Sequence, residues 1–381
     1  MSPEDSPTIT LTVDEYDAAR RLAPQPARNG PGTHGAALVV GSARWPARAT
    51  LACPGALPAS VARLIAGAMV YGDLAGGANP AQLPALLFDA TGDPWPLAHF
   101  FALAGALDEA ARGAWFAAVA AIAAHPGFDL RLIGARRVDL TERMPPSTRW
   151  LAAGHVAEVL GQRPDILATF LAQPRHFRLY ATPAAFADDG GVAGGDYDAG
   201  RERIQLGLAR LFEGFGGARP GVAPFLHELG HMLDAFAPAS GGMRQSHGTL
   251  PGLDPADGPL YDAEARRLFV AGKALEAARY EALHTGAERA RDDDTNLPLG
   301  HPYVFQNDGE FIAGYLELYL RTPNRFAARN PALYDGLSRL LRQDPRVAWP
   351  EDFDFYVREN RAVYLRGESL ARAGITVPPT T

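Results

Sequence analysis

Residues 224–234 read Pro-Phe-Leu-His-Glu-Leu-Gly-His-Met-Leu-Asp and enclose His227-Glu228-Leu229-Gly230-His231. Pro224 suits the first position of a helix, where its missing N–H costs nothing. At about 100° per residue, His227, His231 and Asp234 then share one stripe. Leu226, Leu229, Met232, Leu233 and Phe236 cover the opposite side. Two histidines four apart lie one turn apart, so both imidazoles can reach a single ion. An open zinc site takes nitrogen and oxygen ligands and keeps one position for water. The ion makes that water acidic near neutral pH, and Glu228 stands where it can take the proton. With 10 histidines and 17 glutamates in 381 residues, the pattern is expected by accident only ~0.01 times.

A third ligand is required. Metzincin spacing places a histidine at position 237, which is Ala237 here, so that class is excluded. A glutamate from a later helix is the remaining common solution, and the downstream candidates are Glu264, Glu276, Glu281, Glu288, Glu310 and Glu317. The first four fall on an Ala/Arg-rich helical stretch, 262–291, which reads as a solvated face carrying ordinary ion pairs. Glu310 instead opens a strongly apolar helix, 310–320, behind a cap at Asn307 or Asp308. On that helix Glu310, Gly314 and Glu317 form the one non-apolar stripe, and a carboxylate on a buried helix needs a partner. Gly230 and Gly314 are small enough to let the two helices approach closely.

His227 to Asp234 followed by Glu310-Phe311-Ile312-Ala313 resembles the gluzincin metallopeptidases related to the catalytic domain of anthrax lethal factor. The Pro-Pro endopeptidases and the Mlc titration factor type belong to the same group. Tyr303, in His301-Pro302-Tyr303, stands seven residues before Glu310, as a tyrosine does in the lethal factor and Pro-Pro endopeptidase groups. The Gly-rich stretch leading to Tyr197-Asp198 and Ile204-Gln205-Leu206, and the later Asn330-Pro331-Ala332-Leu333-Tyr334, are similar too, so the resemblance covers about 145–343. Gly314 occupies the place of the family's second glutamate. Glu310 follows His231 by 79 residues, which implies an insertion over 240–299 that covers or shapes the cleft.

The resemblance implies an α+β, zincin-like domain over 145–381: a small mixed sheet with an edge hairpin, the HExxH helix and a C-terminal helical subdomain. It implies one Zn2+ per chain, held by His227, His231 and Glu310, with Glu228 as general base in peptide hydrolysis. Tyr303 would donate a hydrogen bond to the oxyanion; otherwise it is a core or rim aromatic. Asp234 would orient a ligand histidine or hold a backbone group. The strand around Ile204 could pair with an extended peptide substrate. Two other functions compete: a zinc-binding or regulatory protein with little proteolysis, and a toxin-like effector protease.

Residues 1–144 have no counterpart in that family. They read as a mostly helical domain with a Pro/Gly-rich lead-in, a strand at 36–40, helices at 59–71, 95–107 and 108–124, and a strand at 128–138. This domain is a candidate surface for a protein partner. A break at Pro145-Pro146 precedes a helix to about residue 160, capped by Ser147. Strands are expected at 177–181 and 203–207, the second in a hairpin. His155 and Glu158 read as helix surface. Asp292-Asp293-Asp294 reads as a solvated loop in preference to a calcium site.

The net charge of −7 argues against nucleic acid and polybasic membrane binding. Lys273 is the one lysine, in keeping with an Ala-, Gly- and Pro-rich composition. Cys53 has no partner for an intrachain disulfide. The first 21 residues lack the apolar run of a secretory signal, and 115–124 is about half the length needed to span a bilayer. The expectation is a cytoplasmic protein, or one exported without a cleaved signal.

Overall fold

A computed structural model describes residues 37–39, 50–52, 109–144, 146–191, 195–212, 223–347 and 352–379. The helices expected at 59–71 and 95–107, the lead-in and Cys53 lie outside the described residues. The chain divides into two compact units. The first, Met1–Ala121 with Phe215–Ala218, contains a two-stranded antiparallel ribbon of β1 (Ala37–Val39) and β2 (Thr50–Ala52). Helix α1 (Glu109–Ala124) ends within the second unit, which comprises Ile122–Gly214 and Arg219–Thr381. The second unit therefore begins at Ile122, ahead of the break at 144/145. The reason is β3 (Phe128–Ile133), which pairs in parallel with β4 (Arg175–Tyr180) and cannot be separated from it.

Between those strands lie α2 (Pro146–Leu160) and α3 (Pro164–Leu171). Helix α2 already begins at Pro146, so Ser147 lies inside it and not ahead of its first residue. After β4, α4 (Pro183–Asp188) is capped by Thr182, whose hydroxyl accepts from the Ala185 N–H at 3.2 Å. The hairpin follows as β5 (Gly195–Asp198) and β6 (Arg203–Gly207). The four strands run in the order β3-β4-β6-β5, with β5 antiparallel at the edge.

Side chains alternate across the sheet. Phe128, Leu130, Phe177, Leu179 and Ile204 are buried on one face. Behind them stand α5 (Leu208–Phe212) and α6 (Pro224–Asp234). Phe225 of α6 stacks on Phe177, with centroids 5.7 Å apart, and on His155 of α2 at 5.2 Å. The HExxH helix is thus wedged between sheet and α2. His155 is only 2% exposed and Glu158 is buried against Arg321, so their expected place on a helix surface is overturned.

The remaining chain is largely helical, after a short ribbon of β7 (Phe236–Ala237) and β8 (Gly242–Met243). Helix α7 (Ala263–His284) is capped by Asp262, α8 (Asp308–Arg321) by Asn307 and α10 (Pro331–Leu341) by Asn330. Helix α9 (Pro323–Arg329) joins α8 to α10, and α11 (Asp354–Leu365) follows. Helix α7 is no solvated insert: Gly272 abuts the Leu333 backbone of α10, where a Cβ would come within 2.4 Å of a nitrogen. Glu276 is 0% exposed. It accepts from Arg279, the Asn330 amide, the Leu299 N–H and the Tyr315 hydroxyl. Asp293 binds its own turn through Thr295 and Asp294 pairs with Arg325, as in an ordinary loop. Among the described residues no helix is long and apolar enough to cross a membrane.

Removing Glu276 would strand four donors in the interior. Glu276→Ala should cost about 3–5 kcal/mol, read as a lowered Tm, while metal content per folded molecule stays unchanged. An unaltered Tm would remove Glu276 from the structural role.

Candidate metal centre

Helices α6 and α8 approach most closely at Gly230. A Cβ built on Gly230 would lie 2.7 Å from the Ala313 Cα, so only glycine permits this spacing. Gly314 faces Val304 and takes no part in the approach. The crossing sets His227 and His231 against Glu310. Their Nε2 atoms lie 3.1 and 3.4 Å from the same Oε2, and the imidazole centroids are 5.0 Å apart. Ligand atoms of all three residues lie within 4.8 Å of one another, and this is the one such group among the described residues. Two imidazoles and a carboxylate, each partly open to solvent, can hold a metal ion and leave it accessible.

Glu317 lies one face further along α8, with Oε2 3.6 Å from His227 Nδ1. It accepts from the Ala223 N–H at 2.5 Å and from the Tyr356 hydroxyl. The two nitrogens of His227 are therefore addressed by two carboxylates of one helix. Such an outer carboxylate fixes the orientation of a ligating imidazole. Sequence reasoning placed Glu317 on the right stripe and among the candidate third ligands, but did not foresee its place on the outer nitrogen of His227. Tyr356 gave no spacing signal, since it comes from α11. Of the readings left open for Asp234, the backbone one holds. It is fully buried and accepts from the N–H groups of His247 at 3.0 Å and Thr249 at 2.9 Å, and from the Ser246 hydroxyl.

The charges reinforce one another. Burial disfavours the imidazolium of His227, but hydrogen bonds to Glu310 and Glu317 outweigh it and push its pKa up to about 10. Burial likewise opposes ionisation of Glu310, yet the two imidazoles hold its carboxyl well below the usual range. The cluster is a cation-attracting site even when protons are the only cations present. Glu228 is buried, and burial raises its pKa against the pull of the two histidines. Tyr303 is 45% exposed and so is not a core aromatic. Its hydroxyl donates to Glu310 Oε1 at 2.8 Å, and burial followed by that bond raises its pKa.

The loop carrying Tyr303 is tied down from behind. Asp308 Oδ1 accepts from Lys273 Nζ at 2.6 Å and from the Thr376 N–H at 2.8 Å. The Gly374 N–H donates to the Phe305 carbonyl at 2.8 Å, and Tyr280 donates to the Ala371 carbonyl at 2.9 Å. The lone lysine is thus a buried anchor. The strand around Ile204 is paired on both sides, which overturns its reading as a strand-adding edge; the sheet ends at β5 on this side and at β3 on the other. No known protein family matches the chain, and no curated protein sequence matches it either.

Zinc titration separates the candidate ligands. Glu310→Ala should weaken binding by at least ~10²-fold, whereas alanine at exposed Glu264, Glu281 or Glu288 should leave it unchanged. Because His227 holds a proton below about pH 10, wild-type affinity should rise with pH through neutrality as that proton is displaced. Retained binding without Glu310, or affinity flat with pH, would refute the assignment.

Proposed function

We propose that this chain is a zinc-dependent endopeptidase of zincin-like fold, with one Zn2+ held by His227, His231 and Glu310. The observation that carries the reading is the convergence of this donor set with Glu228 and the Tyr303 hydroxyl at one partly open place. The small mixed sheet, with its antiparallel edge strand β5 beside the HExxH helix, supports the fold assignment. Zinc bound there would acidify a water and polarise a carbonyl.

The chain's own groups supply the rest. Glu228 takes a proton from the attacking water and returns it to the leaving nitrogen. Its burial favours the neutral carboxyl, which brings its proton affinity closer to that needed near neutral pH. Tyr303 now donates to Glu310 Oε1. Turned to the carbonyl oxygen, the same hydroxyl would stabilise the charge that develops there. Glu317, itself held by the Ala223 N–H, keeps His227 in place throughout. The free edge of β5 could align an extended peptide by main-chain hydrogen bonds.

Two substitutions test this. Glu228→Gln keeps the shape but cannot accept the proton. Metal content should stay near one equivalent while peptide cleavage falls ~10³-fold; near-normal turnover with zinc bound would exclude the role. Tyr303→Phe should lower kcat ~10²-fold with KM little changed. Unchanged turnover would leave Tyr303 as a wall of the cleft only.

A further inference from the structure

Tyr303 has two sides. Its hydroxyl is on Glu310, and its ring forms a wall of a cavity of about 310 Å³. The floor of that cavity is aromatic: Tyr280 and Phe305 stack with centroids 4.2 Å apart. Its rim comes from the C-terminal segment and includes Arg366, Glu368 and Arg372. Arg366 is neutralised by Glu368 at 2.6 Å. Arg372 has no ion pair or hydrogen bond among the described residues, which leaves one uncompensated positive charge at the rim.

His301, also in the lining, adds a directed donor. Its Nδ1 accepts the Tyr303 N–H at 3.1 Å, so a neutral ring must carry its proton on Nε2. Burial, helped by Arg366, lowers its pKa and keeps the ring neutral. Nε2–H has no hydrogen-bond partner among the described residues. The cavity therefore combines an apolar floor with a free guanidinium and a free N–H, and with no uncompensated acid. That is the complement of a carboxylate on an apolar stem.

We propose that this cavity is a substrate subsite that selects a carboxylate, borne by a glutamate side chain or by the C-terminal end of the peptide. It rests on the peptidase reading, because Tyr303 lines the cavity and also places its hydroxyl on the candidate ligand Glu310.

The zinc-loaded full chain is given matched peptides with Glu, Gln or Lys at each position flanking the cut. Each peptide is made with a free and an amidated C-terminus. Glu peptides should be cleaved ~10-fold faster than Lys peptides at one position on one side of the cut, as expected of a charge-assisted hydrogen bond. If the terminal carboxylate is the source, amidation should cost the same factor and the side-chain series should be flat. Arg372→Glu, an exposed position whose replacement breaks no contact, should reverse the preference.

Binding to Glu228→Gln, measured without turnover, should follow the same order. Cleavage indifferent to both charge series and to Arg372→Glu overturns the subsite and leaves the peptidase reading intact. Acid-selective binding without any cleavage by the wild type overturns the peptidase reading and leaves the carboxylate site. Neither cleavage nor selective binding overturns both.

Discussion

The closeness of α6 and α8 at Gly230 is the constraint on which the site depends. A methyl group there would meet the Ala313 backbone, and the helices would have to separate. Overpacking of this kind typically costs 1–3 kcal/mol. Here the larger effect would be geometric, because the imidazoles come from one helix and Glu310 and Glu317 from the other. Glu310 meets Nε2 of His227 and Glu317 meets Nδ1. Both contacts are set by the same crossing, so a shift of the helices would loosen the ligand set and its outer support together.

Much of the centre was legible because its signals are local. The four-residue spacing of His227 and His231, the apolar side of their helix and the stripe through Glu310 and Glu317 all follow from helical periodicity. So did the hairpin of 195–198 with 203–207, whose alternation is visible in Arg-Ile-Gln-Leu-Gly. Tyr303 was placed by resemblance, and its contact with Glu310 agrees with that placement without testing the oxyanion role.

What was not legible depends on partners distant in sequence. Glu276 looks like any charged residue among arginines. It is buried because the Tyr315 hydroxyl, 39 residues on, and the Leu299 N–H, 23 residues on, both reach it. His155 and Glu158 were misread for the same reason: Arg321 lies 163 residues away from the glutamate it neutralises. Periodicity reports which residues share a face, but not whether a charged residue on that face meets water or an opposite charge. The pairing of β3 with β4 was hidden similarly, since the parallel partner lies beyond a two-helix connection.

The strap formed by Lys273, Asp308 and Thr376 bears on how the centre comes into being during synthesis. His227 and His231 leave the ribosome first, Glu310 follows 83 residues after His227, and the strap segment comes about 150 residues after the histidines. At ~5–20 residues per second, that is an interval of roughly seven to thirty seconds. For the first 83 residues of it the nascent chain has two imidazoles with no Glu310 carboxylate to complete the set. An ion captured then is held by histidines alone, weakly and exchangeably. The third candidate ligand comes into place only when α8 docks and residues 370–376 secure the loop behind it, so completion of the cluster and final folding are one event.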